Sequence, residues 1–416
     1  MSLTPIGIDI GTYKTVVSVV QNGGIDVILN NYSNRSTPTS ITFDTKDIRF
    51  FGEDSKNQSV QNFENTITCF KQFLNNSNLA KEQEFISCKL AHPKHHQLGI
   101  VKVNDRSYEA VQVYAMFLGY LKQQIINNGV NIGKCVISVP GSYTPHEREL
   151  VLIAASLVGL GDVDLCSEVL ASGLTYAVRN HEGDVAKKHV IVDVGYSQMT
   201  ISLLKIGERK VEVEKSFIDD SIGGRVIDKV ICDQLLQKVG LKFDVHSKPY
   251  QRVLKECEKF KKVLSANNIV SVNIESIKED KDIITSIKRE EFEEWINESL
   301  VKVGSNIKKF LHSKEGPLKF ESVQLIGGSS RIPSIKNLIS QGFKKELSTT
   351  LNQDEAISLG CAYLSSVFTK KLDKSHFELK DFNHHTITIS IGDNPTHYDL
   401  FHSFITSPSK EKVSHS

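Results

Sequence analysis

Two stretches of the chain repeat the same order of residue types, and this repeat constrains the fold more than any other feature. Each has an apolar strand, an aspartate, a glycine, a short polar turn and a second apolar strand; they are GIDIGTYKTVVSV (7–19) and VDVGYSQMTISLL (192–204). A supersecondary unit that recurs in this way indicates a duplicated core. The sequence therefore predicts a two-lobed α/β molecule.

Length and composition place this repeat in a large folded chain. The 416 residues are enough for two or three structural units, and 39% of them are hydrophobic, so the chain can bury a sizeable core. Its 50 Lys and Arg residues nearly balance its 49 Asp and Glu residues, which leaves no net field to attract nucleic acid or an acidic membrane. We therefore expect no nucleic-acid or membrane partner.

Three further features concern the compartment. The longest nearly apolar run, LVLIAASLVGL (150–160), is shorter than the roughly 20 residues that span a bilayer, and we interpret it as a buried helix. The first residues, MSLTPIGIDIG, have no basic residue before the apolar stretch, so a secretory signal is not expected. Seven cysteines without a CxxC pair argue against a zinc site and against a disulfide framework. These features fit a reducing compartment, with most cysteines as small buried side chains.

Hydrophobic periodicity and turn residues predict the other elements. A glycine-threonine pair splits the first apolar run into a hairpin, and a proline-glycine pair ends the strand at 134–139. The predicted strands are 6–20 with its break, 25–29, 134–139, 190–194 and 200–205. The predicted helices are 60–75, 110–126, 145–159, 248–264 and 288–311.

The chain changes character after Thr369. The stretch KKLDKSHFELKDFNHH is polar and rich in Lys and His, and the alternating stretch TITISI (386–391) follows it. We interpret this region as a helix end, a linker at 371–380, and one or two strands within 381–416 that lack pairing partners. The final residues, SPSKEKVSHS, have little apolar content and are expected to fray.

Both repeats have the residue types that a nucleotide site needs. In the first, the turn Gly11-Thr12-Tyr13-Lys14 can point backbone N–H groups at a phosphate, and Asp9 can face the water shell of a metal ion. In the second, Asp193 precedes the turn Gly195-Tyr196-Ser197-Gln198. A plain β-hairpin explains either turn alone, whereas two similarly placed aspartates would hold Mg²⁺, largely through water, between phosphates. We name these segments the first turn and the second turn.

A third feature is LIGGSSRIP (325–333), a strand that runs into a glycine turn and a helix start. Gly327 and Gly328 would let the backbone approach a flat ligand, and the guanidinium of Arg331 can stack on an adenine. The alternative is a tight strand-to-helix turn that requires a positive φ.

These segments resemble one known family. GIDIGTYKTVVSV, VISVP, VDVGYS, IGGSSRIP and LSTTLNQDEAISLGCAY (347–363) are similar, in order and spacing, to the nucleotide-binding domain of the heat-shock protein 70 superfamily. NRSTP (34–38), VP followed by YT (143–144), the single glycine of VDVGYS and STTLNQDEA resemble its heat-shock protein 110 branch. The resemblance implies an α/β, actin-like (ribonuclease H-like, duplicated) two-lobed ATPase fold over residues 1–370 with a short β-rich C-terminal fragment. Lobe I would cover about 1–185 and lobe II about 186–370.

The resemblance also implies contacts with ATP or ADP and Mg. The first turn and residues 195–198 would bind the phosphates. The nucleoside would lie between two walls, formed by Glu258, Lys261, Lys262 and Ser265 on one side and by Gly328, Ser329, Arg331 and Asp354 on the other. The first four positions fall on one helical face, which is also a common pattern of surface helices.

Four residues are implied for chemistry at the phosphates. Lys71 matches the family's catalytic lysine, whose ammonium can orient the attacking water and offset phosphoryl charge. Taken alone, one lysine on an amphipathic helix is usually just solvated. Glu168 matches the glutamate near the metal and the water, and Asp9 and Asp193 match the metal carboxylates.

The second turn departs from the active chaperones of the family. Tyr196 and Ser197 replace two glycines, Gln198 replaces a threonine, and Thr200 replaces an aspartate. Because a threonine cannot act as an ionised base, we expect nucleotide binding to survive better than turnover.

Other departures lie in the first turn and near the linker. Tyr13 and Lys14 replace a Thr-Tyr pair, and Lys14 would either add a phosphate contact or face solvent; Ser167 replaces an asparagine. Pro140 and Arg148 keep residues that relay the nucleotide state between domains. The segment LDKSH (372–376) is polar where active members have leucines, and the residues after it are too few for a full β-sandwich, so we expect a truncated substrate-binding β domain or a tail at 381–416.

Four functional hypotheses follow. The leading one is an ATP-binding co-chaperone that promotes nucleotide exchange on a heat-shock protein 70 partner, in the cytoplasm and also the nucleus, with unfolded polypeptides as further partners. The second is a slow Mg-dependent ATPase chaperone that uses Asp9, Lys71, Glu168 and Asp193. A sugar kinase on the same duplicated fold and a purely structural pseudo-ATPase are the third and fourth.

Overall fold

The computed structural model has two α/β lobes, each built on one large mixed sheet. It describes residues 3–21, 23–74, 79–91, 99–180, 183, 185–278, 281–312, 317–369, 377–385, 387–391 and 396–401. The strands of the first half of the chain are β1 (Thr4–Ile10), β2 (Lys14–Gln21), β3 (Gly24–Val27), β4 (Thr37–Pro38), β5 (Ser40–Phe43), β6 (Arg49–Phe51), β7 (Thr66–Thr68), β8 (Lys89–Ala91), β9 (Ile100–Val103), β10 (Arg106–Glu109), β11 (Ile132–Val139) and β12 (Val163–Ser167). Those of the second half are β13 (Lys187–Val194), β14 (Met199–Gly207), β15 (Lys210–Asp219), β16 (Ile269–Lys278), β17 (Lys281–Lys288), β18 (Ser322–Ile326), β19 (Leu347–Ser348), β20 (Glu378–Lys380), β21 (Ile387–Ile391) and β22 (Thr396–Phe401).

Helices connect and cover these strands. They are α1 (Gly52–Gln58), α2 (Leu79–Gln83), α3 (Ala110–Asn127), α4 (Pro145–Leu157), α5 (Glu168–Asn180), α6 (Gly224–Lys238), α7 (Lys248–Ala266), α8 (Arg289–Trp295), α9 (Asn297–Leu311), α10 (Pro333–Phe343) and α11 (Ala356–Phe368). Local signals set their ends: Thr144 caps α4 with a capping box to Glu147, and Ser247 caps α7 with a proline in its first turn.

The central sheet of the first lobe contains the first repeat. Its strands are ordered β12-β11-β1-β2-β3, and β1 runs parallel to β11 and antiparallel to β2. Ile6, Ile8 and Ile10 share one face of β1 and are fully buried in a core that α3 also fills. Gly7 faces the other way onto α11, where a Cβ would lie 2.1 Å from the backbone nitrogen of Ala362. Only glycine permits this approach of strand and helix.

The central sheet of the second lobe repeats this arrangement. Its strands are ordered β19-β18-β13-β14-β15-β20, and β13 runs parallel to β18 and antiparallel to β14. Strands β13 and β14 thus occupy the positions that β1 and β2 have in the first lobe. The predicted duplication of an α/β core is confirmed.

Smaller sheets and one returning helix complete the two lobes. In the first half of the chain, β6-β5-β7 and β10-β9-β8 form two three-stranded sheets, and in the second half β16 and β17 form a hairpin that packs with α7. Helix α11 lies in the stretch that the sequence assigns to lobe II, and it packs against α5, β1 and β11.

Most predicted elements agree with the structure, and three need correction. Segment 60–75 is not a helix: it forms 3₁₀ turns at Phe63–Asn65 and Phe70–Leu74, separated by β7, which pairs with β5. Segment 288–311 is two helices, α8 and α9, which meet at Ile296. The apolar run 150–160 is helical within α4 but only partly buried, because Leu152, Ile153 and Leu157 are exposed.

Residues 377–385 extend along the second lobe and reach the first. Strand β20 pairs in parallel with the edge strand β15, and then Asp381 accepts a hydrogen bond of 2.8 Å from Ser167 Oγ. Phe382 is buried, and His385 Nε2 lies 2.8 Å from the carbonyl of Ser142. The predicted linker thus contains a short strand, whereas its polar run 372–376 lies outside the described residues.

The strands predicted beyond residue 381 are present as β21 and β22, but they do not lack partners as expected, because they pair with each other. The tail predicted to fray, from 407 onward, lies outside the described residues. In the described part of the chain no helix has the length and apolar character to cross a membrane. All seven cysteines are buried free thiols, as the sequence predicts for most of them.

Candidate functional site

A cavity of about 610 Å³ lies between the two central sheets, which is within the usual size range for small-molecule and cofactor sites. The structure brings every residue predicted for the site to its walls, and Pro140 lies there too. Arg148 lies outside it and donates to the carbonyl of Tyr143. Two turns, four charged side chains at the floor and one face of α7 therefore converge on one space.

The two turns have the same backbone geometry. In the first turn Gly11 N donates to Lys14 O at 3.1 Å, and in the second turn Gly195 N donates to Gln198 O at 2.9 Å. Each turn joins two antiparallel strands, so the duplicated hairpins bring two sets of backbone N–H groups to the same cavity. Such groups form natural sites for phosphate oxygens.

Three carboxylates and one ammonium meet at the floor of the cavity. Burial and the nearby Glu168 raise the pKa of Asp9 to about 6, although Lys71 and a hydrogen bond from Ser138 oppose the shift. Burial, Glu168 and Asp9 raise the pKa of Asp193 to about 7. Asp193 Oδ1 is buried and has no hydrogen-bond partner among the described residues. This orphaned oxygen is the strongest local indication that a cation belongs here.

Lys71 is buried and forms an ion pair of 2.6 Å with Glu168. It lies on a 3₁₀ turn and not on the amphipathic helix that the sequence suggests, and Tyr143 donates to its carbonyl at 2.7 Å. Within the described residues, no three Asp, Glu, His or Cys side chains are arranged as direct ligands of one metal ion. Asp9 and Asp193 offer buried carboxylate oxygens, and these are ligands that would suit a hydrated Mg²⁺, which usually keeps several waters.

Side chains of the two turns also contact each other. Thr12 Oγ1 lies 2.8 Å from Ser197 Oγ, and Gln72 Nε2 donates to both, at 3.2 and 3.1 Å. Thr12 and Ser197 are buried, so this three-membered contact is a neutral, desolvated link between the lobes.

The turn at residues 327–331, which we name the third turn, packs against Asp193 of the second lobe. Gly327 has a φ of 83°, and a Cβ there would lie 2.2 Å from Asp193 Oδ1, so both the positive φ and the close approach require glycine. Ser329 Oγ donates to the carbonyl of Gly195 at 2.8 Å, and Gly328 follows in the same 3₁₀ turn. This turn therefore supports the second turn from behind.

Asp354 pairs with two basic side chains of this wall, Arg331 and Lys14. Arg331 donates two hydrogen bonds to it, of 3.0 and 2.9 Å, and Lys14 lies 2.5 Å away. These contacts answer the question the sequence leaves open for Lys14: it pairs with a carboxylate of the other lobe.

The opposite wall is the face of α7 that the resemblance implies, and the spacing of its residues supports part of that assignment. Lys261 is buried and pairs with Asp228 at 2.7 Å, and Ser265 donates to the carbonyl of Lys261. Burial raises the pKa of Asp228 to about 6 against the opposing effect of Lys261. Glu258 shows the reverse balance: burial would raise its pKa, but Lys56 and Lys262 lower it to about 2. Glu258 is thus a permanently ionised acceptor at neutral pH.

Sequence reasoning missed several residues of the cavity. Gln72 and Lys56 line the cavity but belong to no motif, and the signal for Gln72 was only its place beside Lys71. Ser138 lies within the motif VISVP, but nothing in the sequence marks it as the hydrogen-bond donor to Asp9. Lys56 lies on a seven-residue helix without any distinctive pattern. Their roles come from tertiary contacts that local sequence does not encode.

The comparisons with known proteins point to one family. The chain matches the family model described as Hsp70 protein over residues 5–414. It is 33% identical over 405 residues to a heat shock protein homolog of Naumovozyma castellii, covering 93% of this chain and 59% of that relative. It is 33% identical over 401 residues to the heat shock protein hsp88 of Neurospora crassa (92% and 57%). It is 32% identical over 405 residues to the 97 kDa heat shock protein of Strongylocentrotus purpuratus (93% and 45%). The chain thus spans about half to three fifths of the length of these relatives.

Proposed function

The chain belongs to the Hsp70 family, with its actin-like α/β fold, and we propose that it is an ATP-binding co-chaperone of the heat-shock protein 110 type. In this proposal it promotes nucleotide exchange on a heat-shock protein 70 partner in the cytoplasm, and unfolded polypeptides are further partners. The similarity to the yeast and sea-urchin heat shock proteins over nearly the whole chain supports the branch. Because the relatives are longer than this chain, the proposed function rests only on the residues that this chain contains.

The cavity suits a magnesium nucleotide. The turns 11–14 and 195–198 would hold the phosphates, and Asp9, Asp193 and Glu168 would face the hydrated metal. Bound Mg²⁺ would supply the positive charge that offsets these crowded carboxylates. Without that charge, burial and mutual repulsion raise the pKa values of Asp9 and Asp193.

The side chains of the second turn and of Thr200 favour a role in nucleotide exchange over ATP hydrolysis. Tyr196 occupies the gap between the lobes, and Ser197 is bonded to Thr12 and Gln72. Thr200, paired in register with Asp193, adds a neutral hydroxyl where a general base would need a carboxylate. We infer that nucleotide stabilises one closed arrangement of the lobes more than it is turned over.

The segment 377–385 offers a route from the cavity to the rest of such a protein. Tyr143 joins Lys71 to the loop after β11, and His385 contacts Ser142 in that loop. Pro140, on the cavity wall, starts the same loop. We propose that this loop carries the nucleotide state to the segment after the two lobes.

The test is the release of labelled ADP from a heat-shock protein 70 chaperone. We expect the full chain, loaded with Mg-ATP, to accelerate release by at least about tenfold, in the range of ordinary allosteric couplings. An Asp193→Ala variant, which removes the orphaned carboxylate, should lose this effect. An unchanged release rate with the ATP-loaded protein contradicts the exchange function.

The second candidate is a slow Mg-dependent ATPase. The buried Lys71–Glu168 pair favours it, because it places an ammonium and a carboxylate beside Asp9 and Asp193. Single-turnover hydrolysis that depends on Mg²⁺ and collapses in Lys71→Ala supports this alternative. Equal rates in the two proteins contradict it.

A further inference from the structure

Tyr13 of the first turn reaches across the cleft to the other lobe. Its hydroxyl donates to the carboxylate of Glu258 on α7 and accepts a hydrogen bond of 2.8 Å from Lys56 Nζ on α1. The ammonium groups of Lys56 and Lys262 each lie 5.3 Å from the centre of its ring. One side chain therefore joins α1, the first turn and α7.

The ring of Tyr13 also meets the second turn. Its centroid lies 4.9 Å from that of Tyr196, with the planes tilted by 47°. Tyr196 in turn has Lys261 Nζ 5.6 Å from its ring centre. The two tyrosines fill the gap between the turns from opposite lobes, an arrangement that glycine or a short side chain at either position could not make.

These contacts lie at the mouth of the cavity. The side chain of Glu258 is 12% exposed, that of Lys56 is 34% exposed and that of Lys262 is 60% exposed, so the contact runs from the cavity wall out to solvent. Lys255 Nζ reinforces it from outside, with a hydrogen bond of 2.8 Å to the carbonyl of Lys56. By contrast, the ion pair of Lys71 at the floor is almost fully buried.

The chemistry of the contact makes it persistent but breakable. Burial and the neighbouring carboxylate raise the pKa of Tyr13, so its hydroxyl stays protonated and donates, while Glu258 stays ionised and accepts. A hydrogen bond to an ionised group is stronger than a neutral one, and at a partly solvated site water can replace it when the lobes separate.

We propose that Tyr13 is the gate of the cavity: its contact with Glu258 holds the two lobes together at the mouth and must open before a nucleotide enters or leaves. This gate rests on the proposed nucleotide-binding function and adds the regulation of that site. It differs from a simple ligand contact, because a gate slows both entry and release, whereas a contact with bound nucleotide slows release alone.

Stopped-flow fluorescence with ADP labelled on its adenine tests the gate. Tyr13→Phe keeps the ring beside the lysines but removes the hydroxyl, with its hydrogen bonds to Glu258, Lys56 and Lys262. We expect association and release each to become at least about tenfold faster, as the loss of hydrogen bonds to charged groups predicts. Tyr32→Phe is the matched control: Tyr32 donates to Asp54 within the first lobe, so its loss should leave both rates unchanged.

Two kinetic results overturn the proposal: unchanged rates in Tyr13→Phe, or faster release with unchanged association. Hydrogen exchange of the nucleotide-free protein decides the question independently. We expect faster exchange in α1 and in both turns for Tyr13→Phe than for wild type, and equal exchange overturns the gate. If labelled ADP binds neither to wild type nor to Tyr13→Phe, the proposed nucleotide function fails. The comparison of hydrogen exchange in the two proteins then still shows whether Tyr13 holds the cleft closed.

Discussion

The two turns of the duplicated hairpins have the same backbone hydrogen-bond pattern, yet they are attached to the opposite lobe in different ways. The first turn uses charged, partly exposed contacts, from Lys14 to Asp354 and from Tyr13 to Glu258. The second turn uses buried ones: Ser197 bonds to Thr12 of the first turn. Arg225 N, from the same lobe, donates to the carbonyl of Tyr196, and the Arg225 side chain pairs with Glu82 of the first lobe. The two hairpins therefore have the same backbone geometry but different side chains. As a result, the contacts of the first turn are exposed to solvent, whereas those of the second turn are buried.

The buried anchor of the second turn should give the largest effect on stability. Arg225 donates two hydrogen bonds to Glu82 of the first lobe, and both side chains are 3% exposed. In Glu82→Gln the guanidinium stays buried without its counter-charge, so we expect a loss of about 3–5 kcal/mol in the free energy of unfolding. Urea denaturation at low and high salt measures this loss, which should be nearly independent of salt.

The neighbouring exposed pair provides the control. Lys81 and Asp220 also join the lobes, but their side chains are 37% and 55% exposed. Lys81→Met should cost less than about 1 kcal/mol. If the two variants lose the same small amount, the Arg225–Glu82 pair is not a desolvated anchor, and the contrast between the turns disappears.

The carboxylates that precede the turns give the next largest effect, with opposite sign. Asp193 has a pKa of about 7 in the folded chain against 3.8 as its ordinary value. A raised carboxylate pKa means that the folded state binds the extra proton, so stability is present at low pH and falls as pH rises from about 4 to 7. Asp193→Asn removes this cost, and we expect it to stabilise the nucleotide-free, metal-free protein at pH 8 by about 2–4 kcal/mol.

Thermal denaturation at pH 8 and at pH 4 checks this prediction, and the gain should vanish at pH 4. Asp9→Asn should gain less, because Ser138 already donates to Asp9 at 2.6 Å and its pKa is only about 6. A destabilised Asp193→Asn at pH 8 would show that an unseen partner satisfies its orphaned oxygen.

The sequence predicted the duplicated hairpins because their information is local. Strand, aspartate, glycine and turn follow one another, and each repeat pairs its own two strands. The helix predicted for segment 60–75 was wrong. The apolar spacing of this segment suits a helix, but Thr66, Ile67 and Thr68 pair with β5 from elsewhere in the chain. Tertiary pairing overrode the local period.

The same distinction applies within the site. Spacing alone put Glu258 and Lys261 on one face of α7, and the structure brings that face to the cavity. No local pattern could pair Tyr13 with Glu258 or Lys14 with Asp354, since each pair joins residues of different lobes. The chemistry of the residues was readable from the sequence, but their partners were not.

The smallest predicted effect tests the other side of the comparison. Lys14 and Asp354 are 27% and 30% exposed, and Arg331 still holds Asp354 when Lys14 is lost. Lys14→Met should therefore cost less than about 1 kcal/mol at low salt, and almost nothing at about 1 M salt, where charges are screened within a few ångströms. Ser197→Ala, which removes the neutral buried bonds of the second turn to Thr12 and Gln72, should cost about 1–2 kcal/mol at either salt concentration. Urea denaturation of both variants at two salt concentrations measures the difference. A salt-independent cost for Lys14→Met would mean that the first turn is held by packing, and the two turns would then differ in residue type but not in the physics of their attachment.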